Sequence, residues 1–338
     1  MKQKFPAAYG IRRFRGDSPE MESFADVARG LYAGDPFWKP AAPPPPDSAC
    51  YLVRRGDLAI GRACGLAATG PAWNNEPTAL AGWYECADDP HAAELLLGAI
   101  ADDFRQEGYR HLIGPMNGST WHRYRFADPS DTPPFFLDVQ NKPWYAAQFE
   151  RAGFETIARY SSTNFDIRTG DYARVERFEE YYRNRGIIIR PFRPDDFESE
   201  LRVLYDVTLA SFAHNFLYTP ISFENFRAIY APIRSLIDPG LVLIAQNGEE
   251  RPLGFVFTIP DMFDRAGRTL VIKTVAAAPV PEARGLGTFL VERMHLTARR
   301  RGFGSVIHAL MHEDNSSMNV LAGEGQLLRT YRLFHRTL

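Results

Sequence analysis

The sequence predicts an α/β protein of the α+β kind: two tandem domains of one fold, each a mixed central sheet flanked by helices. Three observations lead there. The chain has 338 residues, more than one typical core accommodates, so two domains are the starting expectation. Two helix-ending glycines, Gly108 and Gly302, stand at the same spacing as the strands that follow them, which begin at His111 and Ser305 (302 − 108 = 305 − 111). That matched spacing reads as an internal duplication. The third observation is a β-branched strand, a Gly loop, an amphipathic helix and another strand in unbroken succession over residues 269–311.

Composition narrows the class. Apolar residues make up 45% of the chain, enough for two cores, and the formal net charge is −2. That balance carries no electrostatic signature of nucleic acid or membrane binding. Cys50, Cys64 and Cys86 form no CxxC spacing and cannot all pair with one another. This predicts a reducing compartment and no structural zinc. The first twenty residues lack an apolar signal core, and no run reaches the length of a membrane span. The expectation is a soluble, cytoplasmic protein.

Taken in order, residues 1–20 are basic, contain Pro and Gly, and read as loosely held. Residues 21–32 form a helix with Phe24, Val27, Ala28 and Leu31 on one face, ended by Gly34-Asp35-Pro36. Pro43 to Pro46 is a stiff polyproline connector. Residues 50–68 form a hairpin turning at Arg55-Gly56-Asp57, and residues 81–86 another strand. Asp88-Asp89-Pro90 opens a helix, proline being tolerated in its first turn, with Leu95, Leu96, Ile100 and Phe104 buried. Residues 111–116 are a strand, and residues 143–152 a helix stopped by Gly153-Phe154. Residues 171–185 read as a charged, solvated helical linker. The order then restarts: strand 187–190, helix 197–212 and a hairpin over 241–259 around Asn247-Gly248. The domain reading is therefore 1–165, linker 166–186, and 187–338.

The chemistry is expected in the second copy. Residues 269–275 form its central strand, and Pro279 and Pro281 prevent any regular element from continuing. Arg284-Gly285-Leu286-Gly287 then opens a helix whose apolar side carries Leu286, Phe289, Leu290 and Met294. A Gly loop at a helix start exposes unpaired N–H groups at the positive end of the dipole, an anion site for which phosphate is the usual guest. The loop lacks the Gly-Lys-Ser/Thr of a P-loop, and Leu290 stands where a dinucleotide fingerprint needs its third glycine. In the first copy the same helix opens with Asp88-Asp89-Pro90. Those carboxylates would fill the anion site themselves, and Pro90 removes a donor.

Val275, Pro279, Arg284-Gly285-Leu286-Gly287, the helix ending at Ala298-(x)3-Gly302, and Asn315 after the next strand together resemble the acyl-CoA loop of the GNAT superfamily of N-acyltransferases. The closing Tyr331-Arg-Leu333-Phe334 is similar to that fold's last strand. In the first copy, Asn141-(x)3-Tyr145-(x)3-Phe149-(x)3-Gly153-Phe154 resembles the family's late helix. Arg29-Gly-Leu31-Tyr32, Asp35-Pro36-(x)-Trp38, Gly114-Pro115-Met-Asn117 and Pro260-Asp261 further resemble an uncharacterised bacterial group of tandem members. The loop departs from the family at Glu282, where Gln or Arg is usual.

The resemblance implies an acyl-CoA co-substrate, acetyl-CoA first, held by Val275, Ala276, Arg284, Gly285, Leu286, Gly287, Thr288 and Asn315, and no metal. It implies direct attack of a small amine on the thioester, with a backbone N–H near Val275-Ala276 as the oxyanion donor. The family's general-acid tyrosine has no counterpart in residues 316–325, Ala322 taking its place. Tyr331 is the substitute candidate, its alternative being a core-facing strand tyrosine. Glu313 is the candidate base, or else a loop carboxylate, and Asp261 the next choice. His308 and His312 share a strand face but have no partner to complete a metal site. His214 and Tyr218 fall where the fold lines its acceptor cleft, or else in an ordinary polar loop. In the first copy, residues 121–124, Trp-His-Arg-Tyr, are weaker acceptor candidates. That copy either shapes one wall of the acceptor site or supports the second.

A competing function is a non-catalytic acyl-CoA-binding or regulatory protein, motivated by the missing tyrosine and the degenerate first copy. A third, an aminoacyl-tRNA-dependent transferase, is disfavoured by the intact Gly loop and the lack of positive charge. The expected partner is a small-molecule amine, with no nucleic acid or membrane, in a monomer or homodimer.

Overall fold

A computed structural model describes residues 8–68, 73–314 and 325–338. The chain divides into two compact units. The first comprises Met1–Pro134, Val139–Arg159 and Thr330–Leu338; the second comprises Phe135–Asp138 and Tyr160–Arg329.

The first unit contains β1 (Tyr9–Arg15), α1 (Met21–Leu31), β2 (Ala49–Arg55), β3 (Leu58–Ala67), β4 (Thr78–Cys86), α2 (Pro90–Gln106), β5 (His111–Gly114), the two-residue β6 (Phe126–Ala127) and α3 (Tyr145–Arg151). β1 to β4 pair antiparallel in sequence order and β4 pairs β5 in parallel. Strand alternation sorts the side chains. Tyr51 and Val53 join the core under α2 and α3, while Cys50 and Leu52 join Phe24 and Val27 of α1 on the opposite face. Within the basic N-terminal segment, expected to be loose, Tyr9–Arg15 is instead an edge strand. Its arginines stay exposed, an arrangement that discourages further edge pairing. All three cysteines are buried and free; Cys50 and Cys64 face each other with their sulfurs 3.1 Å apart.

The second unit contains α4 (Ala173–Arg183), β8 (Ile188–Pro191), α5 (Phe197–Phe212), α6 (Phe223–Tyr230), β9 (Val242–Gln246), β10 (Pro252–Pro260), β11 (Thr269–Ala277), α7 (Leu286–Arg300) and β12 (Ser305–His312). β7 (Glu155–Asp166) begins in the first unit and ends in the second. Here β8 to β11 are antiparallel in order, β11 pairs β12 in parallel, and the end of β7 pairs β12 antiparallel. The succession repeats that of the first unit, as the duplication implied. α6 had no counterpart in the sequence reading; the Ser222 hydroxyl caps it by accepting from the Asn225 N–H.

The closing strands differ from a simple reading of chain order. β7 follows the first copy in sequence, yet its end lies beside β12. β13 (Gln326–Thr337) follows the second copy, yet its Phe334–Thr337 stretch pairs with β5. Each unit thus takes its last strand from beyond the neighbouring copy in the chain. α4 also departs from the solvated linker of the sequence reading. Several of its charges face outward, but Arg174 and Glu179 pair with Glu292 and Arg293 of α7, Val175 and Tyr182 are buried, and Tyr182 stacks on Phe289 of α7 at 5.1 Å.

One buried polar pair in the second unit sets a pH dependence. His295 on α7 and His308 on β12 share a hydrogen bond of 2.8 Å between their Nε2 atoms, so the accepting ring must be neutral. Burial drops the His295 pKa to about 4, and burial together with His295 pulls His308 well below its ordinary value. The unfolded chain then binds more protons below about pH 6.5, so stability is full above that pH and falls as the pH drops toward 4. His295 alone accounts for about 3 kcal/mol across this window. Urea midpoints at pH 7.5 and 5 should show the loss, and a His295→Leu/His308→Leu double variant should flatten the slope.

Candidate functional site

The site is built where β11 and β12 part. Their parallel pairing runs only from Thr269–Ser305 to Ile272–His308. A register shift opposite β10 leaves Lys273 as an extra residue in β11. On the other strand, Leu310 adopts φ 58° and the β12–β7 register breaks between His308 and Met311. Both strands therefore bend, and β11 continues to Ala277 with no β12 partner. The Ala278 N–H bonds the Leu253 carbonyl on the β10 side. Alternation along the strand sends the N–H groups of Val275 and Ala277 to the side that β12 has left.

α7 begins beside this opening. Its N-cap, Gly285, has φ +79°, a left-handed conformation that glycine adopts without cost. No side chain caps the helix, so the N–H groups of Leu286, Gly287 and Thr288 present the positive end of the dipole. Gly287 faces the strand directly: a Cβ built there would sit 3.7 Å from Val275 Cγ1. The turn is braced from behind by α4, whose Tyr182 hydroxyl donates to the Arg284 carbonyl at 2.9 Å. Arg284 and Gly285 are exposed, while the Leu286 side chain is in the core, leaving only its backbone for a ligand. Ala276 is buried, and Val275 and Thr288 are half-buried. Glu282, the departure from the family pattern, has Arg251 3.4 Å away, an exposed pair whose charges offset each other on the loop's flank.

The equivalent helix of the first unit is closed. The Asp89 side chain accepts from the Ala92 N–H at 3.1 Å, and Tyr9 and Arg55 hold its other oxygen at 2.7 and 3.1 Å. Burial would raise its pKa, but the Tyr9 hydroxyl, the Ala92 N–H and Arg55 outweigh it and hold the carboxyl low. Asp89 alone is the cap; the sequence reading had assigned that role to Asp88 as well.

The remaining candidates fall in different places. Glu313 is exposed in the turn directly after β12. Asp261 is buried, and its Oδ1 accepts the backbone N–H groups of Phe136 and Phe263 at 2.8 and 3.0 Å, so it pins a turn. Tyr331 is fully buried in register with Ala127 of the first unit. His214 is exposed; Tyr218 is half-buried, its pKa pushed up to about 12 by burial. Asn315 and Ala322 lie outside the described residues. His308 is taken up by His295, and among the described residues no group of three or more His, Cys, Asp and Glu could hold a metal ion.

Two residues gain a place at the site that the sequence reading did not give them, His312 having been weighed only as a metal ligand. His312, at the end of β12, packs edge-on to Tyr160 at 4.9 Å and against Phe216 of the His214–Tyr218 loop at 5.5 Å. Its Nδ1 accepts the Asp314 N–H at 3.1 Å. The neutral ring then carries its proton on Nε2, and that atom is buried with no protein partner. Lys273, at the bulge, donates to the Tyr230 hydroxyl at 3.2 Å. The signal for both was their position at the strand opening, which a strand pattern alone does not disclose.

No family model matches the chain. Protein YghO of Escherichia coli (strain K12) is 20% identical over 272 residues, 75% of this chain and 69% of that one. Among solved structures, a GCN5-related N-acetyltransferase of Sphaerobacter thermophilus is 13% identical at a TM-score of 0.51, covering 97% of this chain and 95% of that one. A tandem GNAT protein from the clavulanic acid biosynthesis pathway gives 12% and 0.51, with 98% of each chain covered. A GCN5-related glucosamine N-acetyltransferase region of a fungal multi-domain β-N-acetylglucosaminidase gives 15% and 0.59, where this chain covers 98% of itself but only 38% of that protein. At such identities the likeness is one of architecture. The chain has the fold of the GCN5-related N-acetyltransferases, in two tandem copies.

Proposed function

We propose that the second unit binds one acyl-CoA, acetyl-CoA in the first instance, and transfers its acyl group to a small amine. The observation that carries this is the opening between β11 and β12 set against the uncapped start of α7, with Gly287 facing Val275. In this reading the N–H groups of Leu286, Gly287 and Thr288 take the pyrophosphate, with Arg284 beside it. The Val275 N–H donates to the thioester oxygen as it gains charge. The amine gives up its proton to Glu313, directly or through water, and its nitrogen attacks the thioester carbon. The C–S bond then breaks, and the sulfur leaves as thiolate, which its pKa of about 8.5 permits without a strong side-chain acid. His312, through its Nε2–H, together with Tyr218 and His214, orients the acceptor.

Release of free thiol from acetyl-CoA in the presence of a panel of small amines tests the proposal. An amine-dependent rate is expected, and Glu313→Gln should lower it about 10²-fold with CoA affinity nearly unchanged. CoA binding with no turnover for any amine would favour a regulatory acyl-CoA-binding protein instead.

A further inference from the structure

Lys273 is the one lysine in the chain beyond Lys142. Over that stretch, histidines aside, every other cationic side chain is an arginine. A site that needs only positive charge is served at least as well by arginine, whose guanidinium stays charged and offers five donors. What lysine adds is an amine that can lose a proton and act as a nucleophile. The residue stands where that property matters. Lys273 is the extra residue at the β10–β11 register shift, and it directly follows Ile272, the last residue of β11 paired with β12. Ile272 points into the core beneath α7, whereas the Lys273 side chain leaves the strand toward α6, the helix that follows the His214–Tyr218 loop. Along β11 it lies two residues, about 7 Å, before Val275, a span its flexible four-carbon stem covers.

The amine is held by neutral groups. Lys273 is half-buried; its Nζ donates to the Tyr230 hydroxyl at 3.2 Å and lies 4.6 Å from the centre of the Tyr230 ring. The phenol oxygen can accept from an ammonium or from a neutral amine, and among the described residues no carboxylate pairs with Lys273. We infer that Lys273 is itself an acyl acceptor, so that the chain acylates its own lysine. This self-acylation rests on acyl-CoA binding in the second unit, as proposed above, but needs no amine from solution. Lys273 first gives one proton to solvent. Its nitrogen then attacks the thioester carbon, the C–N bond forms and the C–S bond breaks. CoA leaves as the thiolate, and a second nitrogen proton passes to solvent. The Val275 N–H that would serve a free amine serves this step as well. The product is an uncharged amide at the strand opening in place of an ammonium.

Incubation of the full chain with acetyl-CoA and no added amine, followed by intact-mass measurement and peptide mapping, tests it. One acetyl group per chain is expected on Lys273, gained about tenfold or more faster than on Lys2, Lys4, Lys39 or Lys142, because the bound thioester is presented to that amine alone. Lys273→Arg should gain no acetyl group on the same timescale. Gly287→Asp, which keeps the lysine but blocks the proposed phosphate site, should leave Lys273 unmodified. CoA affinity is measured by calorimetry on the same protein. CoA binding with Lys273 unmodified overturns self-acylation and leaves acyl-CoA binding standing, whereas no CoA binding at all overturns both. Equal labelling of every lysine, or labelling of Lys273 that persists in Gly287→Asp, marks uncatalysed chemistry in solution and overturns self-acylation as well.

Discussion

Removal of residues 326–338 is expected to unfold the first unit, although those residues follow the second copy in the chain. Tyr331, Leu333 and Phe334 are fully buried, and Phe334 packs on Phe126 and Phe149 with ring centres 6.3 and 5.8 Å apart. Its neighbours complete the β5 edge, with His335 Nε2 and His111 Nδ1 2.9 Å apart and Arg332 Nε 2.7 Å from Asp128 Oδ1. Burying three such side chains contributes about 5–8 kcal/mol, comparable with the whole stability of a domain. The truncated chain should lose its near-ultraviolet signal from the first unit and become open to protease within residues 8–134. The gentler Phe334→Ala should cost about 3–5 kcal/mol by leaving a cavity. An unchanged thermal midpoint in either variant would contradict the assignment of this strand. By the same reasoning, a fragment starting near Arg185 lacks both the β7 stretch that pairs with β12 and the helix that braces Arg284. It is expected to be poorly folded and does not isolate the second copy.

The second large effect is on binding. Gly287→Asp should reduce CoA affinity by 10²-fold or more while leaving the fold intact. The side chain would enter the space between α7 and Val275, and its carboxylate would sit where the pyrophosphate is proposed to lie. Like charges brought together in this way cost several kcal/mol. Folding responds in the opposite sense, because an acidic residue in the first turn of a helix is worth about 0.3–1 kcal/mol. Asp89 shows the same chemistry already at work at the start of α2. A variant that binds CoA normally would show that the helix start is not the phosphate site. A variant that unfolds is excluded by an unchanged thermal midpoint, measured on the same sample.

The sequence was most informative where local chemistry decides the structure. Gly285-Leu286-Gly287 needed only a left-handed cap and an uncapped helix start, and both are present. Asp89 and Pro90 announced a capped helix, and the cap is made. Pairing partners were another matter. The resemblance supplied the closing strand around Tyr331–Phe334, and β7 was not read as a strand; neither strand pattern nor resemblance says which edge a strand completes, so the exchange of closing strands was not legible. The charged run over α4 hid Val175 and Tyr182, because two buried residues in eleven leave little periodic signal. At the site, Asp261 read as a candidate base since a carboxylate after a strand suits that role; its bond to the Phe136 N–H spans 125 residues and is invisible in sequence. His312 was weighed only as a metal ligand with His308, because its place at the strand opening comes from the bend at Leu310, a backbone feature with no residue signature.

The most direct measurement is the stoichiometry of CoA binding by the full chain, read by titration calorimetry. One site per chain is predicted, lost in Gly287→Asp and unaffected by Asp89→Asn. Two equivalent sites, or one site that survives Gly287→Asp, would contradict the assignment of acyl-CoA binding to the second unit.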